Sequence, residues 1–281
     1  MDAETNQIEP EVEDLPVKEP EAPRETRIKV QDLVKVFQDE GRGQLTAVAN
    51  VSFECYSGEI FGLLGTNGAG KTTTLRMLST LLKPTSGTAS IMGHEVISKS
   101  QEVRRSIGYL STTTALYPRL SCRETLDFFA RINGYPESKI EERVNHLVDR
   151  FGLSDYADAR IERLSTGMTQ KVAIARTVAH DPPVVILDEP TNGLDILNVL
   201  DFHKLMRELQ AAGKTVLFST HTMSEAEKLC DRIAVIHRGR ILACGTLDEL
   251  REQSGHRYLE EIFVWLLDQH GEEAGPELET M

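Results

Sequence analysis

Eight consecutive residues, from Gly65 to Thr72, carry the most informative chemical pattern in the chain. They read GTNGAGKT and fit the P-loop pattern G-x-x-x-x-G-K-[ST]. The apolar run 60–64 leads into them, and residues 73–78 predict a helix that leaves them, which is the order of strand, loop and helix that a P-loop requires. Glycines let backbone N–H groups turn toward phosphate oxygens, and the helix N-terminus adds positive potential. The pattern therefore predicts a site for a nucleoside triphosphate.

The polar residues of this loop have separate expected roles. Lys71 would reach the β- and γ-phosphates, and the Thr72 hydroxyl would ligate Mg²⁺. A glycine-rich turn that matches by chance is the alternative, and the flanking strand and helix patterns disfavour it. The residues expected to bind the nucleotide here are Gly65, Thr66, Asn67, Gly68, Ala69, Gly70, Lys71, Thr72 and Thr73.

Two adjacent acids, Asp188 and Glu189, follow the fully apolar run 184–187. Ligands of open α/β sheets gather at the carboxyl ends of such buried strands. Asp188 is expected to hold Mg²⁺, directly or through water, and Glu189 to polarise the attacking water. An acid pair at a strand end can also simply begin a solvated loop, but its combination with a P-loop favours the catalytic reading.

Three further features are ambiguous when each is taken alone. The residues Leu164–Met168, LSTGM, precede a helical pattern and offer an anion site at a helix start, although Ser165 or Thr166 is more simply an N-cap. Phe37 ends a predicted strand, where it would either stack on a nucleotide base or pack in the core. His221 alone is an ordinary histidine at a strand end.

The elements that must position these residues alternate between strands and helices. Strands are predicted at 28–37, 49–56 and 88–92, and again from residue 184 onward, where helices alternate with buried apolar strands. This alternation indicates an α/β fold with a mainly parallel sheet and helices on both faces. Between the strands, residues 116–180 read as a helical insert, with helices at 124–132, 137–151 and 167–179.

Charge separates the ends of the chain from its middle. Residues 1–25 carry a net charge of −7 and residues 251–281 carry −6, so residues 26–250 are neutral. We expect a disordered acidic tail at 1–26, a folded domain at 27–250, and a C-terminal helix with an acidic tail at 251–281. A neutral domain with acidic ends has no broad basic face for nucleic acid.

The sequence also bears on the compartment. No apolar run approaches the roughly 18 residues of a membrane span, and the acidic N-terminus is unlike a secretory signal. The four cysteines, Cys55, Cys122, Cys230 and Cys244, lie far apart and form no C-x-x-C pair, which disfavours a zinc site or a disulfide scaffold. These features predict a reducing cytosolic environment.

The order of the motifs resembles that of ATP-binding cassette (ABC) ATPases over about residues 27–250. The resemblance rests on the P-loop, the LSTGM signature at 164–168, the strand-end acids with the following PTNGLD at 190–195, and His221. The signature, the LYPRL at 116–120 and the segment 219–233 are similar to the ATPase subunits of sodium-extruding, ABC-2-type exporters.

Membership of this family implies a P-loop NTPase core of the RecA-like type, an N-terminal antiparallel β portion and an inserted α-helical subdomain. It implies ATP and Mg²⁺ as cofactors, and a homodimer that sandwiches ATP head to tail. Ser165, Thr166 and Gly167 would then bind the γ-phosphate held by the other subunit's P-loop, and Asp195 would contact across the dimer. Glu189, His221 and Lys71 would be the catalytic residues, and Phe37 would stack on adenine.

Two positions depart from the family pattern. Thr66 stands where many cassettes have proline, and no loss of function is expected because Lys71 keeps its spacing. Thr112 stands where the Q-loop glutamine normally reaches Mg²⁺. Its side chain is shorter, so a contact of Thr112 with the metal either passes through water or is absent.

The resemblance implies ATP hydrolysis that powers export, with sodium ions as one candidate cargo, through a separate transmembrane permease of the ABC-2 type. The subunit would be peripheral, on the cytoplasmic face of the cell membrane, and cytosolic when unassembled. An exporter of drugs, lipids or polysaccharides is an alternative. A soluble ABC ATPase that acts on nucleic acid or the ribosome is another, disfavoured by the single cassette and the missing basic face.

Overall fold

The computed structural model describes residues 24–39, 43–112 and 116–270. The acidic segment expected at 1–26 lies outside this part except for its last three residues, and the expected end at 271–281 lies outside it entirely. The strands are β1 (Thr26–Asp39), β2 (Gly43–Tyr56), β3 (Ile60–Leu64), β4 (Ser86–Ile91), β5 (His94–Glu95), β6 (Ile107–Leu110), β7 (Val184–Asp188), β8 (Thr215–Thr220), β9 (Arg232–His237) and β10 (Arg240–Gly245).

The helices alternate with the strands. They are α1 (Lys71–Leu78), α2 (Ser100–Ser106), α3 (Cys122–Ile132), α4 (Ile140–Arg150), α5 (Thr166–Thr177), α6 (Ile196–Ala211), α7 (Met223–Leu229), α8 (Leu247–Ser254) and α9 (Leu259–His270). The longest of them, α6, has 16 residues. In the part of the chain that the structure describes, no helix is long and apolar enough to cross a membrane.

The strands form two sheets. The first has the order β2-β1-β4-β5 and is antiparallel throughout. The second has the order β10-β9-β3-β8-β7-β6 and is parallel except for β10, which closes it as an antiparallel edge. The predicted α/β fold with an N-terminal antiparallel portion is therefore confirmed.

The central strands of the second sheet are apolar on both faces because layers cover them on both sides. Every residue of β3, β7 and β8 is buried. On one face, α1 and the first sheet form a common core with it, in which the rings of Phe53 and Phe61 stack 5.2 Å apart. On the other face, α3 to α6 form a second core. Such double coverage explains the continuous apolar runs of the sequence.

The helical insert lies between β6 and β7 and packs on the second of these cores. Ser121 and Glu124 form a capping box at the start of α3, since each side chain accepts a hydrogen bond from the other's backbone N–H. The expected helix at 137–151 is present, but its first turn, Glu137–Lys139, is a 3₁₀ helix.

The C-terminal helices pack on the free side of β9 and β10. The apolar stripe of α9, Leu259, Ile262, Phe263 and Leu266, is buried in a third core. The boundary expected after residue 250 falls inside α8.

Candidate active site

The loop between β3 and α1 depends on glycine for its shape. Gly68 and Gly70 have φ values of +80° and +106°, in the left-handed region that glycine adopts without strain. A Cβ atom on Gly70 would lie 2.6 Å from the carbonyl oxygen of Ala47, so the approach of β2 excludes a side chain there. Residues 67–73, with Ala47 and Glu189, line a cleft of about 150 Å³. A cleft at the start of a helix suits a phosphate group.

Lys71 is held over the loop that precedes it. Its ammonium donates hydrogen bonds to the carbonyl oxygens of Gly65, at 2.8 Å, and Thr66, at 3.1 Å. The Nζ atom also lies 3.2 Å from Oε1 of Glu189. The cation is thus placed on the floor of the cleft, between the loop and the acid at the end of β7.

Asp188 ends β7 and is almost fully buried. Its Oδ1 accepts hydrogen bonds from Ser219 Oγ, at 2.7 Å, and from Thr72 Oγ1, at 3.1 Å. Burial raises the pKa of Asp188, and the two hydroxyl hydrogen bonds oppose this rise. Its Oδ2 is buried and has no hydrogen-bond partner among the described residues. An unpaired carboxylate oxygen beside a threonine hydroxyl is an all-oxygen donor set, which fits Mg²⁺.

Glu189 follows Asp188 in a strained backbone conformation. Its φ of +47° is unusual for a residue other than glycine, and such strain collects at functional sites. Its backbone N–H donates to Ser219 Oγ at 3.0 Å, which secures the conformation. The side chain then lies between two basic groups, with Oε1 near Lys71 and Oε2 at 3.4 Å from Nδ1 of His221.

A second group of predicted residues gathers elsewhere, at the starts of α5 and α6. Ser165 caps α5 by accepting a hydrogen bond from the N–H of Met168, and Asp195 caps α6 by accepting one from the N–H of Asn198. A Cβ atom on Gly167 would lie 3.2 Å from Nδ2 of Asn198, so the two helix starts are neighbours.

The structure thus sorts the predicted residues into two groups. The P-loop residues 65–73 meet Asp188, Glu189 and His221 at one edge of the parallel sheet. Ser165, Thr166, Gly167 and Asp195 form the second group, and among the described residues that line the phosphate cleft none belongs to it. Ser165, Thr166 and Asp195 are all exposed.

Phe37 lies beside the first group rather than in it. Its ring is 36% exposed and carries the Lys35 ammonium 5.1 Å from its centroid. It pairs on β1 with Leu45 of β2, two residues from Ala47, which lines the cleft. Phe37 is therefore partly exposed near the strand residue that lines the cleft.

Thr112 lies at the same edge of the sheet as the acids. Leu110 pairs with Leu187 in the parallel register of β6 and β7, so residues just beyond β6 emerge beside the end of β7. Thr112 is exposed there. Its hydroxyl is absent from the hydrogen bonds that join Thr72, Asp188 and Ser219.

Two residues that shape this edge were not predicted from the sequence as site residues. Ser219 bridges Asp188 and the backbone of Glu189, and it could have been noticed as a hydroxyl at the end of an apolar strand. Gly239 supports the loop, because its N–H donates to the Ala69 carbonyl oxygen at 2.8 Å. Nothing local in the sequence marks the second of these contacts.

Comparison with known proteins places the site in a family. A family model described as "ABC transporter" matches residues 48–192, which include the P-loop and both acids. The chain is 40% identical over 238 residues to the ABC transporter ATP-binding protein NatA of Bacillus subtilis (strain 168), covering 84% of this chain and 96% of that protein. It is 39% identical over 232 residues to the daunorubicin/doxorubicin resistance ATP-binding protein DrrA of Streptomyces peucetius, covering 83% and 69%.

A solved structure also matches. It is described as a dimeric, post-hydrolysis state of the ATP-binding cassette MJ0796 bound to ADP and Pi. It aligns with a TM-score of 0.71 and 27% identity, and the alignment covers 78% of this chain and 98% of that one.

Proposed function

This chain belongs to the ABC transporter family as an ATP-binding, ATP-hydrolysing subunit, and we propose that it powers export through a separate ABC-2-type permease. The observation that carries the proposal is the single edge at which the P-loop, Asp188, Glu189 and His221 meet. We further propose residues 27–250 as the ATPase domain, with 116–180 as its helical subdomain, flanked by the segments 1–26 and 251–281.

Binding of ATP is assigned to the residues of the cleft. Gly65, Thr66, Asn67, Gly68, Ala69, Gly70, Thr72 and Thr73 surround the phosphates, and Lys71 neutralises their charge. Phe37 stacks on adenine, which its exposure beside the strand that carries Ala47 supports.

Thr72 and Asp188 would hold Mg²⁺, and a contact of Thr112 with the ion would either pass through water or be absent. The bound ion would supply charge neutralisation of the β- and γ-phosphates. The buried, unpaired Oδ2 of Asp188 supports this assignment, because a buried carboxylate oxygen without a partner is costly.

Hydrolysis is assigned to Glu189 and His221. The Glu189 carboxylate accepts a hydrogen bond from a water molecule and orients it for in-line attack on the γ-phosphorus, so that the bond to the β-phosphate oxygen breaks and ADP leaves. His221 holds the γ-phosphate beside this water. Its imidazole, 3.4 Å from Glu189 and half exposed, has the position that this role requires.

We propose that each active site is completed by a second copy of the chain. Ser165, Thr166 and Gly167 of one subunit would bind the γ-phosphate on the other subunit's P-loop, and Asp195 would contact across the dimer. The exposure of this group, at helix starts that suit anions, supports the arrangement.

The permease would bind the helical insert. Tyr117 and Phe128 are exposed aromatic residues whose rings meet edge to face at 5.9 Å, next to the exposed Arg119. Exposed aromatic clusters with a neighbouring arginine are typical of protein interfaces. The subunit would therefore lie on the cytoplasmic face of the cell membrane, and in the cytosol when unassembled.

Two cargoes follow from different observations. Sodium ions are the candidate that the motifs at 116–120 and 219–233 imply, and the relative named for daunorubicin/doxorubicin resistance favours a drug. The test is ATP-driven transport in vesicles that contain the chain and its permease, with ²²Na⁺ or daunorubicin as cargo. Cargo movement that persists with Glu189→Gln would contradict the proposed function.

A further inference from the structure

The turn that carries His221 is fixed through the threonine before it. Thr220 ends β8, and its carbonyl oxygen accepts a hydrogen bond from the N–H of Gly65 in the P-loop, at 3.2 Å. Its hydroxyl accepts a hydrogen bond from the N–H of Thr222 at 3.0 Å and donates one to Oε2 of Glu225 at 2.6 Å. Both chain neighbours of His221 are therefore connected to the Glu225 carboxylate, Thr220 directly and Thr222 through the Thr220 hydroxyl.

Glu225 is an unusual residue for this place in the fold. It lies on α7 and is 5% exposed, although a buried carboxylate is costly unless it is well paired. Its Oε1 is buried and has no hydrogen-bond partner in the described part of the chain. An apolar residue or a glutamine would fill the same space at lower cost, so packing does not explain an acid here.

The Nε2 atom of His203, on α6, lies 3.8 Å from this unpaired oxygen, which is beyond hydrogen-bond distance. Burial lowers the pKa of His203, and the attraction of Glu225 opposes this effect. Among the described residues, the side-chain hydrogen bond of the Glu225 carboxylate is therefore the one that it accepts from Thr220, at the turn of His221.

We propose that Thr220 and Glu225 are positioning residues for His221. The carboxylate holds the Thr220 hydroxyl, the hydroxyl holds the Thr222 backbone, and the turn between them keeps the imidazole beside Glu189. His203 of α6, the helix that Asp195 caps, lies beside this carboxylate without a hydrogen bond to it. The inference rests on the role given to His221 in the proposed function.

The first experiment removes the hydroxyl without changing the shape of the side chain. In the full chain, Thr220→Val is expected to lower the kcat of ATP hydrolysis at least about tenfold, since small displacements of positioned groups are costly, with KM for ATP little changed. Thr220→Ser restores the hydroxyl and is expected to restore most of the lost kcat. Thr125→Val is the matched control, because Thr125 is also buried and its hydroxyl donates to the Ser121 carbonyl oxygen at the start of α3, away from His221 in the sequence.

A double-mutant cycle separates a positioning role from general damage. If Thr220 acts through His221, adding Thr220→Val to His221→Ala lowers kcat no further than His221→Ala alone. A multiplicative loss, or a kcat for Thr220→Val equal to that of the wild type, would overturn the inference. If His221→Ala itself keeps the wild-type kcat, the role proposed for His221 fails instead, so the two failures are distinguishable.

Glu225 gives a second route if Thr220→Val does not fold. Glu225→Gln keeps an oxygen that can accept the Thr220 proton, whereas Glu225→Ala removes it. The expected order of kcat is wild type, then Glu225→Gln, then Glu225→Ala, with an unchanged affinity for a fluorescent ATP analogue in all three. Equal kcat values for the alanine variant and the wild type would contradict the proposal.

Discussion

Two groups of residues contain similar residue types but differ in their hydrogen bonds. We call residues 65–73 with Asp188, Glu189, Ser219 and His221 the P-loop edge, and residues 165–167 with Asp195 the signature edge. At the P-loop edge, Thr72, Asp188 and Ser219 are joined by hydrogen bonds among themselves. At the signature edge, Ser165 and Asp195 are exposed, and the side chain of each accepts the hydrogen bond of a helix cap. Both edges have a helix start that suits an anion, and at the first edge loop glycines, Lys71 and Glu189 line one cleft.

This difference fits the proposal that the first edge is completed largely within one chain, whereas the second meets the ATP site of another subunit. Ile196 and Leu197, directly after Asp195, are 81% and 74% exposed. Neighbouring apolar residues that stay exposed in one chain are typical of an interaction surface. Changes at the first edge should therefore affect catalysis itself, and changes at the second should affect it only through the dimer.

The largest effect is expected for Glu189→Gln at the P-loop edge. The amide keeps the size of the carboxylate but loses the hydrogen-bond acceptor strength that orients water, so kcat should fall about 1,000-fold. ATP binding should persist, because Lys71 and the loop are unchanged. Single-turnover hydrolysis and equilibrium nucleotide binding are the measurements, and turnover within tenfold of the wild type would remove Glu189 from the mechanism.

Ser165→Arg at the signature edge should cost somewhat less, about 100-fold in kcat, as when one stabilising donor of a transition state is lost. The isolated subunit should still bind ATP with the wild-type affinity, because the phosphate cleft does not contain Ser165. Ser154→Arg, at another exposed serine of the helical insert, is the control. A parallel loss of nucleotide affinity would contradict the separation of the two edges.

Acidification should lower the stability of the folded chain. Burial lowers the pKa values of His180, His203 and His237 below the usual value of 6.5. At these three histidines the unfolded chain binds more protons than the folded one, so their contribution to stability is full above pH 6.5 and falls as the pH drops below it. Thermal unfolding followed from pH 7.5 to 5.5 should show a decreasing Tm. His180→Gln should reduce this dependence, and a Tm that rises on acidification would refute the account.

Thr112→Ala should have the smallest effect. Thr112 is exposed and takes no part in the hydrogen bonds of Asp188, so basal hydrolysis should stay within about twofold of the wild type, as for ordinary surface changes. Steady-state ATPase of the isolated subunit checks this. Abolished hydrolysis would make Thr112 a direct metal-site residue.

The sequence predicted most of the fold because its elements have strong local patterns. The apolar runs at β3 and β7, the P-loop between β3 and α1, and the apolar stripe of α9 are all readable from spacing. The short elements α2, β6 and α7 were missed, because four to seven residues carry little periodic signal. The order of the strands in the second sheet, β10-β9-β3-β8-β7-β6, could not be predicted either, since it follows from packing between residues far apart in the chain.

The same limit applies to the site. Glycines, Lys71 and the acid pair are found by motif, but the hydrogen bonds that orient them join residues far apart in the chain. Thr72 and Asp188 are separated by 116 positions, and Ser219 and Asp188 by 31. The link between Thr220 and Glu225 is local, five residues apart, yet only the burial of the carboxylate reveals it.

We propose that each ATP site combines the P-loop edge of one chain with the signature edge of another. Lys71→Ala and Ser165→Arg should each fail to trap labelled nucleotide with orthovanadate when they are assayed separately. Mixed in equal amounts, they form heterodimers in which one site has an intact Lys71 from one chain and an intact Ser165 from the other. The mixture should trap an amount of nucleotide well above the sum of the amounts that the separate variants trap. An amount no greater than that sum would contradict a site shared between two chains.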